Sequence, residues 1–247
     1  NNMKKIMLLI ISMIFISNVT IASSLNIYSH RQPYLLKPFV DAYTKKTGIK
    51  LNIVYSSKGL AQRLAAEGIN SPADLILTVD IARLHRYQDL NLLAKIDSKI
   101  LIKNIPSYLR SKDNTWFGLS KRTRAIAISK ERMNPDEVLT YEDLATQKLK
   151  GKICSRPGSH VYNRALMASM IAANGVKKAE QWALGLVSNL AKRPQGNDRS
   201  QIKSIYSGEC DVAIINHYYY GKLTYSKNLD HRKWAKASII IFPNQGN

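Results

Sequence analysis

The sequence predicts an α/β protein of two lobes, built on mostly parallel sheets with helices on both faces. Short apolar runs of the strand type alternate with helical patterns along the chain after its first 24 residues. The length of 247 residues suits one large domain or two smaller ones. The hydrophobic content of 45% is ordinary for a globular protein and allows a sizeable core.

The first lobe is predicted over 25–122, and its elements alternate in the way that builds parallel sheets. Both predicted helices end at a glycine, the residue type that most often closes a helix. Ligands of such sheets bind beyond the carboxyl ends of the strands. Asp80 is expected to cap a helix. The predicted strands are 25–29, 50–56 and 73–79, and the predicted helices are 34–48 and 59–68.

The second lobe is predicted over 123–240, with a cleft between it and the first. It begins with a long extended run at 123–130, which is expected to cross between the lobes. No internal repeat or flexible linker interrupts the pattern. The further predicted strands are 151–154, 211–215 and 238–242, and the predicted helices are 161–173 and 176–190.

The first 24 residues have the pattern of a secretory signal peptide. A short positive segment precedes an apolar run at 6–16, and small residues follow, with cleavage expected near Ala22 or Ser24. The apolar run is short for a membrane span. The prediction is an exported, periplasmic protein, and the alternative is a signal anchor that stays attached.

The formal charge is +20, from 37 Lys and Arg against 17 Asp and Glu. Such an excess indicates an anionic partner, which can be nucleic acid, a membrane surface or a small anion. An exported protein meets little nucleic acid, so a nucleic-acid partner is not expected.

Two cysteines, Cys154 and Cys210, are present, and export makes a disulfide chemically possible. Cys154 ends one predicted strand, whereas Cys210 precedes the start of another. If these strands are parallel neighbours, their opposite ends lie too far apart for a disulfide. The prediction is therefore two free, partly buried thiols.

Three consecutive tyrosines, Tyr218, Tyr219 and Tyr220, follow an apolar strand in the segment NHYYYG. At the carboxyl end of that strand they are expected to point into the cleft. The alternative is structural, since aromatic side chains favour strands and half-buried surfaces.

A loop of small and polar residues, with Gly158 and Ser159, precedes a helix expected to begin at about residue 160. The free N–H groups and the positive dipole end of a helix start attract anions, and Arg156 strengthens this field. Tyr162 lies in the first turn, beside any bound anion. The alternative is that Ser159 only caps the helix.

Further basic residues flank the predicted cleft. Arg31 and Gln32 lie in the turn after the first strand, and Arg122 and Arg124 lie at the junction of the lobes. Each charge alone is expected to be solvated. Together these residues give a basic rim.

Other chemistries lack their sequence signatures. The five histidines show no zinc spacing. There is no P-loop, no G-x-G-x-x-G and no G-x-S-x-G. No paired carboxylates or nucleophile–base set is visible, so an enzyme is not expected.

Several segments occur in an order that resembles the periplasmic ferric-iron-binding proteins, the substrate-binding subunits of iron ABC importers. The resemblance covers about 25–247 and implies a two-lobed periplasmic binding protein fold of type II. The segments are YSHRQPYLLKPF, SPADLILTVDIARL, WFGL, RTRAIA, GKICSRPGSHVYN, RPQGNDR and NHYYYGKL.

The resemblance also implies roles for matched positions. It implies a ferric ion held by Tyr162, Tyr218 and Tyr219, while Tyr220 falls where the family often has another bulky residue. It further implies a synergistic carbonate. The residues matched to the anion site are Arg122, Arg31, Ser159 and Gly158.

The sequence departs from the family at two places. Many members carry His and Tyr directly after the arginine of the YSxR motif, where this chain has Gln32 and Pro33, with Tyr34 displaced by one. The chain therefore resembles the branch that uses three tyrosines and an anion. Members also continue beyond a return crossover, expected here to start at 241–247, so the shortened chain is expected to be less stable.

Ferric iron, a small trication, favours charged oxygen donors. A free tyrosine has a pKa of about 10, and a trication beside it displaces the proton. Iron binding is therefore expected to release protons and to weaken in acid. The expected protein is a monomeric iron carrier for an importer permease in the inner membrane. Two alternatives remain open: a carrier for a bare oxyanion such as phosphate or sulfate, and a surface protein that adheres to polyanions.

Overall fold

The computed structural model describes residues 24–245. The chain forms two compact α/β units, of which the first ends at Ala94 and the second begins at Lys95. The predicted signal peptide lies outside the described residues except for its last position. The lobe ranges 25–122 and 123–240 and the return segment 241–247 stay predictions. Within the described part of the chain, no helix is long and apolar enough to cross a membrane.

The first unit contains a parallel sheet with the strand order β2-β1-β3. Gly48 ends helix α1 in the left-handed conformation, with φ of 73°, as the sequence predicted. Asp80 caps helix α3 by accepting a hydrogen bond from the amide of Ala82 at 3.1 Å, which confirms its predicted role. The elements are β1 (Ser24–Ser29), α1 (Pro33–Thr47), β2 (Lys50–Tyr55), α2 (Leu60–Glu67), β3 (Leu75–Leu77) and α3 (Ile81–Asp89).

The core of the first unit is small and centres on Tyr28. Its side chain is fully buried and packs with Leu60 and Leu64 of α2 and with Tyr87 of α3. The Tyr28 hydroxyl donates a hydrogen bond to the Glu67 carboxylate at 2.8 Å. Because strand side chains alternate between faces, one face of β1 meets these two helices. The sequence predicted the cap of helix α3 but not the bounds of the helix.

The second unit contains a four-stranded sheet with the order β5-β6-β4-β7. Strands β5 and β6 are parallel, and β4 runs antiparallel to both β6 and β7. Two of the three strand pairings in this sheet are therefore antiparallel, and the sheet is mixed. Over both sheets of the described residues, three of the five pairings are parallel, so the predicted mostly parallel pattern holds best in the first unit. Its elements are α4 (Lys99–Asn104), β4 (Arg124–Ser129), β5 (Ile153–Cys154), α5 (Val161–Asn174), α6 (Val176–Ser188), α7 (Asp198–Tyr206), β6 (Val212–Asn216), α8 (His217–Thr224), α9 (Leu229–Lys236) and β7 (Ser238–Ile241).

Helices cover both faces of this sheet. Ile126 and Ile128 of β4 pack into one apolar cluster, which also contains residues of α5 and α6. Ala127, on the opposite face, packs with residues of α7, α8 and α9. Because β4 is buried on both faces, its four central residues, 125–128, form a continuous apolar run. The helices α4, α7, α8 and α9 were not predicted.

Cys154 and Cys210 form a disulfide, with their Cα atoms 5.9 Å apart. The prediction of two free thiols was wrong. Strand β5 has only two residues, so its two ends are not separated by a strand length. The amide of Asp211 donates to the Lys152 carbonyl at 2.8 Å, which holds the beginning of β6 against the beginning of β5. Cys210, one residue earlier, thereby reaches Cys154.

We expect replacement of both cysteines by serine to lower the free energy of unfolding of the second unit by about 2–4 kcal/mol, because the cross-link restricts the unfolded chain. All three tryptophans lie in this unit, so their fluorescence during urea denaturation reports its unfolding.

The control is the reductant dithiothreitol, which should destabilise the unsubstituted protein and leave the double-serine variant unchanged. Equal midpoints for the oxidised protein and the variant would contradict this expectation.

Candidate functional site

Three tyrosines that follow two neighbouring strands, β5 and β6, come together in the second unit. Tyr162 lies in the first turn of α5, and Tyr218 and Tyr219 lie in the first turn of α8. The hydroxyl oxygens of Tyr162 and Tyr218 are 3.3 Å apart. The ring centroids of Tyr218 and Tyr219 are 4.4 Å apart. The structure thus places three phenol groups beside one another, and we call them the tyrosine cluster.

The third consecutive tyrosine, Tyr220, points away from the cluster. The triplet was expected at a strand end, but β6 stops at Asn216 and a helix begins at His217. Successive helical side chains differ in direction by about 100°, so three tyrosines in a row cannot face one way. The Tyr220 hydroxyl donates to the Ser238 carbonyl at 3.2 Å, and the ring packs against the apolar cluster that contains Ala127.

Helix α5 starts at Val161, close to the predicted position, but its cap is His160 rather than Ser159. The Nδ1 atom of His160 accepts a hydrogen bond from the amide of Tyr162 at 3.2 Å. The His160 ring also meets the Tyr162 ring edge-on, with centroids 4.5 Å apart. Ser159 and Gly158 are exposed in the loop before the helix. The alternative in which Ser159 caps α5 was therefore wrong.

Three arginines surround the Tyr162 ring. The guanidinium carbons of Arg122, Arg156 and Arg124 lie 4.7 Å, 5.1 Å and 5.8 Å from its centroid. A cation over an aromatic face attracts the ring electrons and favours negative charge nearby. The site is therefore electropositive before any ligand is present.

The Arg124 side chain is committed to internal hydrogen bonds. It is buried, and its guanidinium donates to Asp198 at 2.9 Å and to the Asn163 side chain at 2.7 Å. A third hydrogen bond, of 3.2 Å, goes to the Asn216 side chain. Burial lowers the pKa of Arg124, while the Asp198 charge acts in the opposite direction. These contacts indicate that Arg124 supports the site from behind, whereas the sequence left its role open.

Asp198 is the residue of this site that reasoning from residue types missed. Its carboxylate is fully buried at the first residue of α7. The sequence shows Asn197 followed by Asp198, which is an ordinary helix start with an acidic first turn. No local pattern distinguishes a solvated first-turn carboxylate from one enclosed by two arginines. The segment RPQGNDR was noted only for its resemblance to the family.

Burial raises the pKa of all three phenols of the cluster, those of Tyr162, Tyr218 and Tyr219. For Tyr162, the hydrogen bond with Tyr218 acts in the same direction, and the Arg122 charge opposes both. The free cluster is thus protonated at neutral pH. A positively charged ligand that displaces the protons can convert the three phenols to phenolates.

The remaining candidates, Arg31, Gln32 and Tyr34, belong to the first unit. The backbone amide of Arg31 donates a hydrogen bond to Ser29 Oγ, at the end of β1, at 2.9 Å. The Arg31 side chain is exposed. Gln32 precedes α1 without a side-chain capping bond, and Tyr34 in the first turn is 72% exposed. Their roles in the site stay predictions.

Among residues 24–245, no group of three or more His, Cys, Asp and Glu side chains is placed to hold a metal ion. The oxygen atoms that converge in the tyrosine cluster are phenolic.

Comparison with known proteins identifies a solute-binding family and relatives that are named as iron uptake proteins. A family model described as bacterial extracellular solute-binding protein matches residues 39–201. Iron uptake protein A1 of Synechocystis is 42% identical to this chain over 90% of its length, and the match covers 62% of that relative. Iron uptake protein A2 of the same organism is 38% identical, with 91% and 64% coverage. The chain therefore spans less than two thirds of these curated relatives.

Solved structures of ferric-binding proteins are similar to the chain throughout the described units. The ferric iron-binding protein A of Mannheimia haemolytica, in an open conformation, is 46% identical with a TM-score of 0.81. A Trichodesmium protein solved with iron and citrate ligands is 43% identical with a TM-score of 0.84. These matches cover 90% of this chain and 70% and 71% of the respective structures.

The raised phenol pKa values predict a loss of stability at alkaline pH. A group whose pKa is higher in the folded state contributes stability below its unfolded pKa of about 10, and this contribution disappears as the pH rises through the folded value. We expect Tyr162→Phe to reduce the loss of stability above pH 10, measured by urea denaturation at a series of pH values.

Tyr225→Phe is the matched control, because this tyrosine of the same unit is 89% exposed. Identical alkaline profiles for Tyr162→Phe and the unsubstituted protein would show that the buried phenol does not titrate as described.

Proposed function

Since the chain belongs to the family of bacterial extracellular solute-binding proteins, we propose that it binds ferric iron through Tyr162, Tyr218 and Tyr219. The proposal is carried by the convergence of the three phenol groups within an electropositive surrounding. The names of the relatives support it, since they are iron uptake and ferric-binding proteins. We propose that the protein acts in the periplasm and delivers its iron to an ABC importer.

The chemistry of the cluster suits a trication. Three phenolates balance the charge of Fe³⁺, and each needs a proton to leave because burial keeps the free phenols protonated. Iron affinity therefore decreases in acid, where protons compete for the same oxygens. All three donors belong to the second unit, so the metal can load on this unit alone.

A synergistic anion, which we propose is carbonate, completes the coordination. Its negative charge needs compensation, and Arg122, 4.7 Å from the Tyr162 ring centroid, supplies a guanidinium at the cluster. Gly158 and Ser159 lie exposed before the start of α5, where backbone N–H groups favour anions. Arg31, in the first unit, stays a prediction from the family resemblance. We further propose that the carrier is a monomer and binds to the permease of an importer.

We expect the purified protein to develop a visible phenolate-to-iron absorption band on titration with ferric citrate. Tyr219→Phe should remove most of this band, because it deletes one phenolate donor. Tyr225→Phe, on an exposed side chain of the same unit, is the matched control and should keep the band.

A protein that binds phosphate or sulfate tightly, with no visible band and no response to Tyr219→Phe, would instead be a carrier of bare oxyanions. Steep weakening of binding with salt and indifference to iron would indicate adhesion to polyanions.

We expect Arg122→Gln to weaken ferric binding in bicarbonate buffer by about tenfold, because one charge-assisted hydrogen bond to the anion is lost. The measurement is the ferric titration with and without bicarbonate. Arg193→Gln, on an exposed residue of the same unit, is the control.

The variant should also lose most of the difference between the two buffers. If Arg122→Gln keeps the full bicarbonate effect, the anion is held elsewhere. A band that depends on citrate and ignores bicarbonate would identify a polycarboxylate as the anion.

A further inference from the structure

A buried charge cluster lies behind the tyrosine cluster, with Asp198 at its centre. Asp198 Oδ2 accepts hydrogen bonds from Arg124 Nη1 at 2.9 Å and from the Asn216 amide at 2.8 Å. Asp198 Oδ1 accepts one from Arg156 Nη1 at 3.2 Å. The exposed fractions of the three charged side chains are 0% for Asp198, 8% for Arg124 and 12% for Arg156. These charges are almost completely removed from water.

The two guanidinium groups require this carboxylate. Both lie within 5.8 Å of the centroid of the same ring, that of Tyr162, and like charges repel strongly in a poorly solvated interior. Within the described residues, no second carboxylate forms an ion pair with either arginine. Asp198 is therefore the counter-charge that allows Arg124 and Arg156 to occupy one side of the cluster together.

The dependence on Asp198 is unequal for the two arginines. Arg124 has other acceptors: the side chains of Asn163 and Asn216, and the Ile214 carbonyl. For the Arg156 guanidinium, Asp198 is the one hydrogen-bond acceptor among residues 24–245. Loss of the Asp198 charge therefore releases Arg156 first.

Asp198 also reaches the other side of the tyrosine cluster. Asn216, which donates its amide to Asp198, is the last residue of β6 and comes directly before α8. The Asn216 side-chain amide donates to the Tyr218 hydroxyl at 3.4 Å. One carboxylate is thus connected to Tyr162 through an arginine and to Tyr218 through an asparagine.

We infer that Asp198 is a positioning residue of the proposed iron site: it fixes Arg156 against Tyr162 and the beginning of α8 behind Tyr218. The inference rests on the proposed function. Groups that orient metal ligands from behind typically change metal affinity by about 10–100-fold when they are removed. Asp198 touches none of the proposed ligands directly and acts through Arg156 and Asn216.

The test compares Asp198→Asn with Asp211→Asn. The second substitution removes an ion pair of the same kind from the same unit, that of Asp211 with Arg132 at 2.6 Å, away from the tyrosines. We expect Asp198→Asn to weaken ferric binding by about tenfold or more and to shift the visible band, whereas Asp211→Asn changes neither. A folded Asp198→Asn protein with the affinity and band of the unsubstituted chain would overturn the inference.

A double-mutant cycle separates positioning from general stability. If Asp198 acts largely through Arg156, Arg156→Gln should reproduce most of the effect, and the double variant should be no weaker than Asp198→Asn alone. Fully additive losses would overturn this route. Should Asp198→Asn fail to fold, Arg156→Gln decides alone, since unchanged affinity and an unchanged band in that variant also overturn the inference.

A metal-free measurement distinguishes failure of the inference from failure of the proposed function. The near-ultraviolet circular dichroism of the Tyr162 ring is obtained as the difference between each metal-free protein and its Tyr162→Phe counterpart. We expect this signal to change in Asp198→Asn and in Arg156→Gln, and to change no further in the double variant. If the unsubstituted chain shows no ferric band, the proposed function fails, while this circular dichroism signal still decides whether Asp198 positions the cluster.

Discussion

The arrangement of the second unit depends on one buried carboxylate between two buried guanidinium groups. An isolated charge in a protein interior costs several kcal/mol. The ion pairs of Asp198 with Arg124 and Arg156 offset this cost for all three side chains. Their positions connect the first residue of α7, the beginning of β4 and the loop before α5. The tyrosine cluster lies on top of this charge cluster. The buried ion pairs therefore support the phenols from below.

The order of strands explains why the cluster lies where it does. Helix α5 follows β5 after a short loop, and α8 follows β6 without any loop, while β5 and β6 are parallel neighbours. Both helices therefore start at the same edge of the sheet, and their first turns bring Tyr162 close to Tyr218. Residues 56 positions apart in sequence become neighbours through sheet topology alone, as expected for the carboxyl edge of parallel strands.

Much of this could be predicted from the sequence. Alternating apolar runs and glycine stops predicted the α/β class and all seven strands of the described residues. The tyrosine triplet was noted by its place after a strand and Tyr162 by its place in the first turn of a helix. The choice of Tyr162, Tyr218 and Tyr219 as one set came from the resemblance to the ferric-iron-binding family. The direction of Tyr220 was missed because the triplet was treated as a strand end, although Asn216 before it is a residue type that often begins a helix. The disulfide and the burial of Asp198 were missed for the same reason: both depend on distances between segments far apart in the chain, on which local patterns carry no information.

The Cys154–Cys210 bond has a consequence for how the molecule must be made. The cross-link closes a ring of the chain that contains the loop before α5, Tyr162 and Asp198, and it sits directly before that loop. Thiols stay reduced in a bacterial cytosol and become oxidised outside it. Material recovered from cytosolic overexpression starts without this closure, so refolding with an oxidant or secretion by the host is the appropriate route to the form described.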